Sequence, residues 1–337
     1  MNDDLGRRLK DFFNSYLRQR DLSPNTIKSY RDTFRLLIRY MHFQRRGTKK
    51  VLMEDINAKS ILAFLQNLED DQKGRGTGAR TRNQRLAALQ AFFKYIALNV
   101  PAREQQAKRI FAVPFKRAPS RPAAYLTYEE LDILLQQPQV RTADGRRDLA
   151  LMVFLYNSGA RAQEAADLRL SSFNFAARTV KIIGKGKNER ILPLWPSTMS
   201  LLKLYKEKYR RDGDGEHFFI NQRQGRFSRF GIRTVVKKYL RLAARICPSL
   251  AAKRLSTHSL RHTCASHMRE SDIEFNVIRE WLGHKNVETT SSIYTHVDLN
   301  TQRRIYERFG PPNYVVSLTA SDRDGSPDEN YDWLDEV

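Results

Sequence analysis

Apolar residues recur at helical spacing through roughly the first hundred positions of the chain. Ser23 can cap a helix that has Pro24 in its first turn, and Asn57 can cap a second helix. The apolar stripes that follow define three helices: Ile27, Tyr30, Phe34, Leu37, Ile38 and Met41; Ile61, Leu62, Leu65 and Leu68; and Leu86, Leu89, Phe93 and Ile96. No convincing strand interrupts them, so the pattern predicts a helical domain over residues 1–100.

The helical periodicity stops between residues 101 and 122. Prolines occur at 101, 114, 119 and 122, and lysines and arginines lie between them. This composition is typical of an interdomain linker. Because the interval is basic, we expect it to contact phosphates if the two domains enclose a duplex.

Residues 123–310 show a mixed pattern. Thr127-Tyr-Glu-Glu130 is a capping box that begins a helix. Two apolar runs rich in β-formers, Thr179–Ile183 and Ile191–Leu194, flank the sequence Gly-Lys-Gly-Lys-Asn-Glu-Arg, which predicts a β-hairpin with a basic tip. Helical patterns return after Ser197. The second domain is therefore predicted to be mostly α with a small antiparallel β-sheet.

The charge balance narrows the class of partner. The formal net charge of +22 over 337 residues favours a polyanion, most often nucleic acid. A membrane surface is the alternative, but the basic residues are spread along the chain and no apolar run approaches the ~20 residues of a membrane span. The chain start lacks the regions of a signal peptide, and Cys247 and Cys264 form no disulfide framework. We expect a cytoplasmic protein without a membrane partner.

Residues 311–337 reverse the charge pattern and predict an acidic C-terminal tail. Their Asp, Ser, Gly and Pro content is typical of a solvated, disordered segment. Within the tail, Asn313-Tyr-Val-Val-Ser-Leu318 is apolar enough to dock on a protein surface.

Four short segments of the second domain carry candidate chemistry. In Ser158-Gly-Ala-Arg-Ala-Gln-Glu-Ala-Ala-Asp-Leu168, Arg161 and Glu164 lie three positions apart, so the carboxylate can orient the guanidinium. Taken alone, such a pair is usually a solvated surface ion pair. At the hairpin tip, Lys185 lies between glycines and is placed to deliver a proton, although a turn that merely contacts phosphate remains the alternative.

The third segment gathers basic residues at a helix start. His258, Arg261 and His262 occupy positions i, i+3 and i+4, which suits a clamp on an oxyanion or phosphoryl group. A zinc site formed with Cys264 and His267 is the alternative, but no Glu follows His258 to make the His-Glu-x-x-His motif.

The fourth segment, Trp281-Leu-Gly-His-Lys-Asn-Val-Glu-Thr-Thr-Ser-Ser-Ile-Tyr-Thr-His-Val297, contains His284 and Tyr294. Seen singly, such a histidine is commonly a helix cap and such a tyrosine is commonly part of a core.

Together the segments resemble the tyrosine recombinase family, also called the phage integrase family, and in particular its Xer and integrase type. The resemblance rests on Gly-x-Arg-x-x-Glu, the Gly-Lys-Gly hairpin, His-x-Leu-Arg-His, and Leu-Gly-His followed by Tyr-Thr-His-Val, in that order. The amino-terminal half is similar to the family's helical DNA-binding domain through Leu22–Tyr30 and Arg85–Tyr95. The family's fold is a two-domain, C-shaped clamp.

The resemblance implies a role for each matching residue. Tyr294 would be the nucleophile that joins DNA through a 3′-phosphotyrosyl link, and Lys185 would protonate the departing 5′-oxygen. The resemblance also implies that Arg161 and Arg261, assisted by His258 and His284, bind the non-bridging oxygens of the phosphate. Glu164 and His262 would support the arrangement of these residues. Because covalent catalysis stores the energy of the bond, no ATP, metal or other cofactor is expected.

The resemblance also implies the partners and the biological class. The expected substrate is double-stranded DNA with paired recombination sites, bound by a homo-tetramer or an assembly with related recombinases. Integration, excision or resolution of a bacterial mobile element is the expected reaction. Two alternatives remain open at this point: relaxation of DNA like that of a type IB topoisomerase, and a DNA-binding regulator without catalysis. In the family, a segment beyond the nucleophile passes to the neighbouring subunit, which suggests that role for the tail.

One departure from the family pattern concerns the nucleophile. Tyr294 lies ten positions after His284, one more than is usual in the family. An extra residue within a helix would rotate Tyr294 by ~100°, whereas a loop around Val287–Thr290 could absorb it. Tyr306 is the nearest substitute, but only Tyr294 is followed by Thr-His-Val.

Overall fold

The structure is a computed structural model that describes residues 4–44, 50–72, 75–118, 124–184, 188–210, 216–283, 309–312 and 315. The chain divides into two compact units, Met1–Arg121 and Pro122–Val337. Each unit encloses its own hydrophobic core. We therefore describe each unit by itself.

The described part of the first unit is helical. Its helices are α1 (Leu5–Asp11), α2 (Leu17–Gln19), α3 (Pro24–Gln44), α4 (Ala58–Glu69), α5 (Ala79–Asn99) and α6 (Glu104–Phe111), with a π-helical turn at Phe12–Tyr16. Both predicted caps are present: the Ser23 hydroxyl accepts from the Thr26 N–H at 3.2 Å, and Asn57 Oδ1 accepts from the Ser60 N–H at 3.0 Å. The helices pack around an aromatic centre formed by Phe12, Phe34 and Phe92.

The prediction of a linker over 101–122 is wrong for its first part. A short 3₁₀ turn at Pro101–Arg103 leads into α6, whose Ala107 and Ile110 are buried in the core of the first unit together with Val113. The prolines that suggested a linker include one at the start of this helical segment, where proline is tolerated because the N–H it lacks has no helical partner. The helix is too short for its apolar positions to make a clear periodic pattern in the sequence.

The second unit contains the predicted combination of helices and a small sheet. Its helices are α7 (Tyr128–Leu135), α8 (Ala143–Ser158), α9 (Ala162–Asp167), α10 (Pro196–Tyr209), α11 (Arg229–Ile246), α12 (Pro248–Ala252), α13 (Thr257–Glu270) and α14 (Phe275–Leu282). The strands β1 (Phe173–Asn174), β2 (Thr179–Ile183) and β3 (Glu189–Pro193) form an antiparallel sheet in the order β1-β2-β3. The predicted hairpin is β2 and β3, whereas β1 is too short to show in the sequence pattern.

Helix α8 lies at the centre of the second unit. From Arg147 to Ser158 every residue is buried, because Leu149–Tyr156 is apolar on all sides and packs against α10 and α13. The helix ends at Gly159, whose φ of 59° is the left-handed conformation that glycine adopts most readily. Among the described helices, α8 included, none has the length and apolar character needed to cross a membrane.

The described residues after 283 pack against the second unit. Phe309 is fully buried, and its carbonyl accepts a hydrogen bond from Trp195 Nε1 at 2.8 Å. Val315 is also buried in this core, although it lies in the segment expected to belong to the tail and to dock on a neighbour. In the single chain, Val315 is therefore covered by its own domain.

Candidate active site

Arg161 and Glu164 are held together at the start of α9. Glu164 Oε1 accepts a hydrogen bond from Arg161 Nη1 at 2.7 Å, and Oε2 accepts from the backbone N–H of Arg161 at 3.0 Å. The second bond satisfies one of the N–H groups left free at a helix start. Glu164 is only 5% exposed, so the pair is not the solvated surface ion pair that its spacing alone would suggest.

A second arginine, Arg190 on β3, binds the same carboxylate. Its Nη2 donates to Glu164 Oε2 at 2.8 Å. Arg190 lies opposite the buried Ile182 in the sheet and on the same face of β3 as the buried Leu192. Arg190 is not among the site residues predicted from the sequence. The sequence did contain a signal for it, because Arg190 occupies an inward-facing position in a strand whose positions alternate between inward and outward.

The charge state of Glu164 follows from these contacts. Burial raises its pKa, but the hydrogen bonds and positive charges of Arg190 and Arg161 outweigh that effect, so the pKa is lowered overall. Glu164 is therefore ionised at neutral pH. A fixed carboxylate of this kind orients both guanidiniums.

Arg261 lies inside α13 and connects three parts of the site. Its Nη1 donates to the Gly159 carbonyl at 2.7 Å, and its Nη2 donates to the Leu282 carbonyl at 2.5 Å. Burial and then the charge of Arg161 lower the pKa of Arg261 to about 10, so the guanidinium stays protonated at neutral pH. Arg261 thus ties α13 to the turn before Arg161 and to the end of α14.

His258 and His262 lie on the exposed side of α13, whereas Arg261 is buried. Desolvation, followed by the positive charges of Arg233, His262, Arg261 and Arg161, lowers the pKa of His258. Desolvation and Arg261 lower the pKa of His262. Both imidazoles are consequently neutral at pH 7. In place of the expected row of cationic donors, the helix presents one buried cation, Arg261, and two exposed neutral rings.

The zinc alternative does not fit the described residues. Cys264 and His267 are buried, on the other side of α13 from His258 and His262. His267 is already hydrogen-bonded by both nitrogens, to Tyr156 Oη at 2.8 Å and to the Leu126 carbonyl at 2.9 Å. Within the described ranges, no three His, Cys, Asp or Glu side chains come together as metal ligands.

Lys185, His284 and Tyr294 lie outside the described residues, as does Tyr306. The described residues that precede Lys185 and His284 lie next to the Glu164 carboxylate and Arg190. A Cβ placed on Gly184, one residue before Lys185, would lie 3.5 Å from Glu164 Oε1. A Cβ placed on Gly283, one residue before His284, would lie 3.1 Å from Arg190 Nη1. The residues that precede Lys185 and His284 therefore both lie beside the bonded pair Glu164 and Arg190.

We call Arg161, Glu164, Arg190 and Arg261 the Glu164 cluster. Arg161 and Arg190 bind the single carboxylate, and Arg261 lies close enough to interact with it electrostatically, so the cluster has an excess of positive charge. The Arg161 side chain is 35% exposed, against 11% for Arg190, and is the more accessible of the two Glu164 partners. The arrangement is suited to bind an anion such as a phosphodiester.

Comparison with protein families decides the class. The family described as "Phage integrase family" matches residues 124–301, and "Phage integrase, N-terminal SAM-like domain" matches residues 9–98. The chain belongs to the phage integrase family. Enzymes of this family, the tyrosine recombinases, break and rejoin DNA strands, and site-specific recombination is accordingly the activity of this chain.

Curated relatives of this recombinase align over nearly its whole length. A Sinorhizobium fredii chain that carries the name integrase/recombinase y4rC is 35% identical over 302 residues, which cover 89% of this chain and 90% of the relative. Tyrosine recombinase XerC of Syntrophus aciditrophicus is 29% identical over 314 residues, covering 90% of this chain and 97% of the relative.

Solved structures confirm the recombinase fold. A lambda integrase dimer bound to a COC′ core site matches with a TM-score of 0.62 at 17% identity, covering 86% of this chain and 99% of that one. XerH bound to palindromic difH in a post-cleavage complex matches with a TM-score of 0.60 at 20% identity, covering 85% and 77%.

Proposed function

We propose that this recombinase cuts DNA through a covalent link between a 3′-phosphate and Tyr294, in the integration, excision or resolution of a mobile element. The observation that carries the proposal is the Glu164 cluster, with an excess of guanidinium charge beside the chain that leads to Lys185 and His284. A phosphodiester gains negative charge as it is attacked, and fixed cations stabilise that charge.

The proposed reaction is a transfer of the phosphate from one oxygen to another. The oxygen of Tyr294 attacks phosphorus, the bond to the 5′-oxygen breaks, and Lys185 supplies the proton that completes the free 5′-hydroxyl. Arg161 and Arg261 bind the non-bridging oxygens with His258 and His284, while Glu164 and His262 support them. Because the pKa of His258 is lowered, its neutral ring can accept the proton that Tyr294 loses.

Rejoining is the same transfer in reverse. A 5′-hydroxyl attacks the phosphotyrosyl group and releases Tyr294. The number of high-energy bonds does not change, so the rejoining step as proposed draws on no ATP.

The basic surface of the second unit supports DNA as the partner. Helix α11 carries a basic residue at every fourth position, namely Arg229, Arg233, Lys237, Arg241 and Arg245. Residues four apart are neighbours on the surface of a helix, so these residues form a continuous basic row, and all of them are at least partly exposed. The proposed substrate is a duplex with paired sites, bound by a homo-tetramer; one fold relative is a lambda integrase tetramer bound to a Holliday junction.

The decisive experiment traps the covalent adduct. The protein is incubated with DNA from the element that encodes it, and the attached DNA is recovered and sequenced to give the site. On a nicked duplex of that site, Tyr294→Phe should bind DNA normally and form no adduct, because the change removes only the attacking oxygen. Tyr306→Phe is the matched control and should form the adduct. The opposite pattern would assign the nucleophile to Tyr306.

The role of Lys185 has its own test. A substrate with sulfur in place of the bridging 5′-oxygen has a leaving group that needs no proton. It should restore cleavage by Lys185→Ala but not by Arg161→Ala. Equal restoration of both variants, or of neither, would contradict the general-acid role.

A further inference from the structure

The Glu164 cluster contains one arginine, Arg190, to which the proposed function assigns no role. Among the residues to which the family resemblance assigns a role, only Lys185 lies near Arg190 in the sequence. The Arg190 side chain is nevertheless only 11% exposed, and it binds Glu164, the carboxylate that orients Arg161. A buried guanidinium requires a reason, because desolvating a charge is costly unless it is paired.

The electrostatic balance of the cluster supplies that reason. Arg161 and Glu164 alone form a neutral pair, which has little attraction for a phosphodiester. With Arg190 bound to the second carboxylate oxygen, the three side chains carry one net positive charge. Glu164 can then hold Arg161 in place while the group as a whole still attracts an anion.

The packing of Arg190 shows that this arrangement is rigid. A Cβ on Gly283 would lie 3.4 Å from its Cδ and 3.1 Å from its Nη1, so its side chain lies directly against that glycine. A Cβ on Gly184 would lie 3.8 Å from Nη1 of Arg190, so the guanidinium is also close to this glycine. The guanidinium therefore has little freedom to leave Glu164.

Arg161 uses only part of its hydrogen-bonding capacity within the described residues. Its Nη1 and its backbone N–H donate to Glu164, and its other guanidinium nitrogens have no hydrogen-bond partner among the described residues. Arg190, the less exposed of the two arginines, neutralises the carboxylate, and Arg161, the more exposed, keeps donors that no described residue occupies.

We propose that Arg190 is a positioning residue for DNA cleavage, which neutralises Glu164 so that Glu164 orients Arg161 without cancelling its charge. This inference rests on the proposed function, in which Arg161 binds the phosphate. It assigns Arg190 no contact with DNA.

The test measures adduct formation in a single turnover at saturating full-length protein, on the nicked duplex described above. Arg190→Met should slow adduct formation about 10–100-fold, the range typical of residues that orient a primary ligand, while the Kd for DNA changes less than about threefold. Arg190→Lys keeps the charge and should be faster than Arg190→Met. Arg169→Met, which removes an exposed ion pair with Glu216, is the control and should match the unchanged protein.

A double variant separates positioning from general structural damage. In Arg190→Met, the charge of Glu164 cancels the charge of Arg161, its remaining bonded cation; adding Glu164→Gln removes that cancelling negative charge. The double variant should therefore cleave faster than Arg190→Met alone and should also unfold at a higher temperature. A merely structural role for Arg190 would let the double variant regain unfolding temperature without regaining cleavage rate, because residues in contact are coupled in stability whatever their function. A double variant that cleaves no faster than Arg190→Met, or a rate for Arg190→Met equal to that of the control, would overturn the proposal.

The sulfur-bridged substrate shows whether Arg190 acts through Arg161 or through Lys185. If Arg190 acts through Glu164 and Arg161, this substrate should leave the defect of Arg190→Met in place. Restoration by sulfur would show that Arg190 acts through Lys185 and would refute the proposal. Loss of the adduct in Tyr294→Phe tests the proposed function independently, so a normal Arg190→Met with an inactive Tyr294→Phe refutes only the inference. If the unchanged protein forms no adduct, both the proposed function and the inference about Arg190 are refuted.

Discussion

Two clusters of arginines and carboxylates lie near opposite ends of α8 and are built with opposite charge balance. Near the start of the helix, Arg147 donates to Asp148 at 2.7 and 2.9 Å and to Asp144 at 2.7 Å. Tyr239 Oη donates to the other Asp148 oxygen at 2.9 Å. We call these four residues the Arg147 cluster. Just beyond the end of the helix, the Glu164 cluster has three arginines for one carboxylate.

The difference between the clusters separates stability from function. In the Arg147 cluster the guanidinium is 8% exposed and two carboxylates surround it, so it has no excess positive charge to offer a ligand. Burial raises the pKa of Asp148 despite the nearby arginine, whereas the pKa of Glu164 is lowered. A closed ion pair network holds a fold together, while an open one with surplus cations binds anions.

The largest expected effect is on stability and comes from the Arg147 cluster. Arg147→Met leaves two carboxylates without their cation, and breaking a buried ion pair in this way typically lowers the free energy of unfolding by about 3–5 kcal/mol. Trp195 and Trp281 are buried in the second unit, so tryptophan fluorescence during urea unfolding reports the change. Arg169→Met should change it by about 1 kcal/mol or less. Equal changes in both variants would show that the Arg147 cluster does not stabilise the fold.

Arg161→Ala should show the reverse pattern. Loss of one donor to a developing oxyanion typically slows a reaction about 10²–10³-fold, and we expect that loss in single-turnover adduct formation. Glu164 remains paired with Arg190, so the free energy of unfolding should fall by about 1 kcal/mol or less. A variant that cleaves normally but unfolds easily would make the Glu164 cluster structural, like the Arg147 cluster.

Gly283→Ala should affect stability and cleavage together, to a smaller extent. Gly283 has a φ of 64°, and the left-handed conformation costs other residues about 1–2 kcal/mol. The new methyl group would also press on Arg190, so adduct formation should slow. Gly225→Ala is the control, because Gly225 is outside the left-handed region and its Cβ would make only ordinary contacts of 3.5 Å or more. Unchanged cleavage in Gly283→Ala would mean that Arg190 tolerates displacement.

The smallest expected effect is on the pH dependence of stability. Since folding lowers the pKa of Glu164, its contribution is present above the ordinary glutamate value of about 4.3 and is lost as the pH falls through the lowered value. Folding raises the pKa of Asp148, so its contribution is lost as the pH rises from about 3.9 through the raised value.

Urea unfolding at several acidic pH values tests these opposite signs. Glu164→Gln should make the free energy of unfolding rise less steeply with pH, and Asp148→Asn should make it rise more steeply. Slopes that change in the same direction would contradict the contrast between the clusters.

The amino-acid sequence by itself determined most local elements and part of the site. The capping box at Thr127 is present, with Thr127 N–H donating to Glu130 Oε2 at 2.9 Å, and the hairpin strands lie within two residues of their predicted bounds. The contact of Arg161 with Glu164 also follows from spacing, because residues three apart on a helix are neighbours. These features depend on short-range geometry and on periodicity, which the sequence displays directly.

The tertiary structure alone decided which distant segments meet. Arg190 reaches Glu164 across 26 residues, and Arg261 reaches the Gly159 carbonyl across 102. The same holds for α6, whose burial depends on the face of α5 that it covers. Local pattern fixes which face of an element is apolar, but the partner of that face depends on how all the elements pack at once. The charge balance that distinguishes the Glu164 cluster from the Arg147 cluster therefore became visible only in three dimensions.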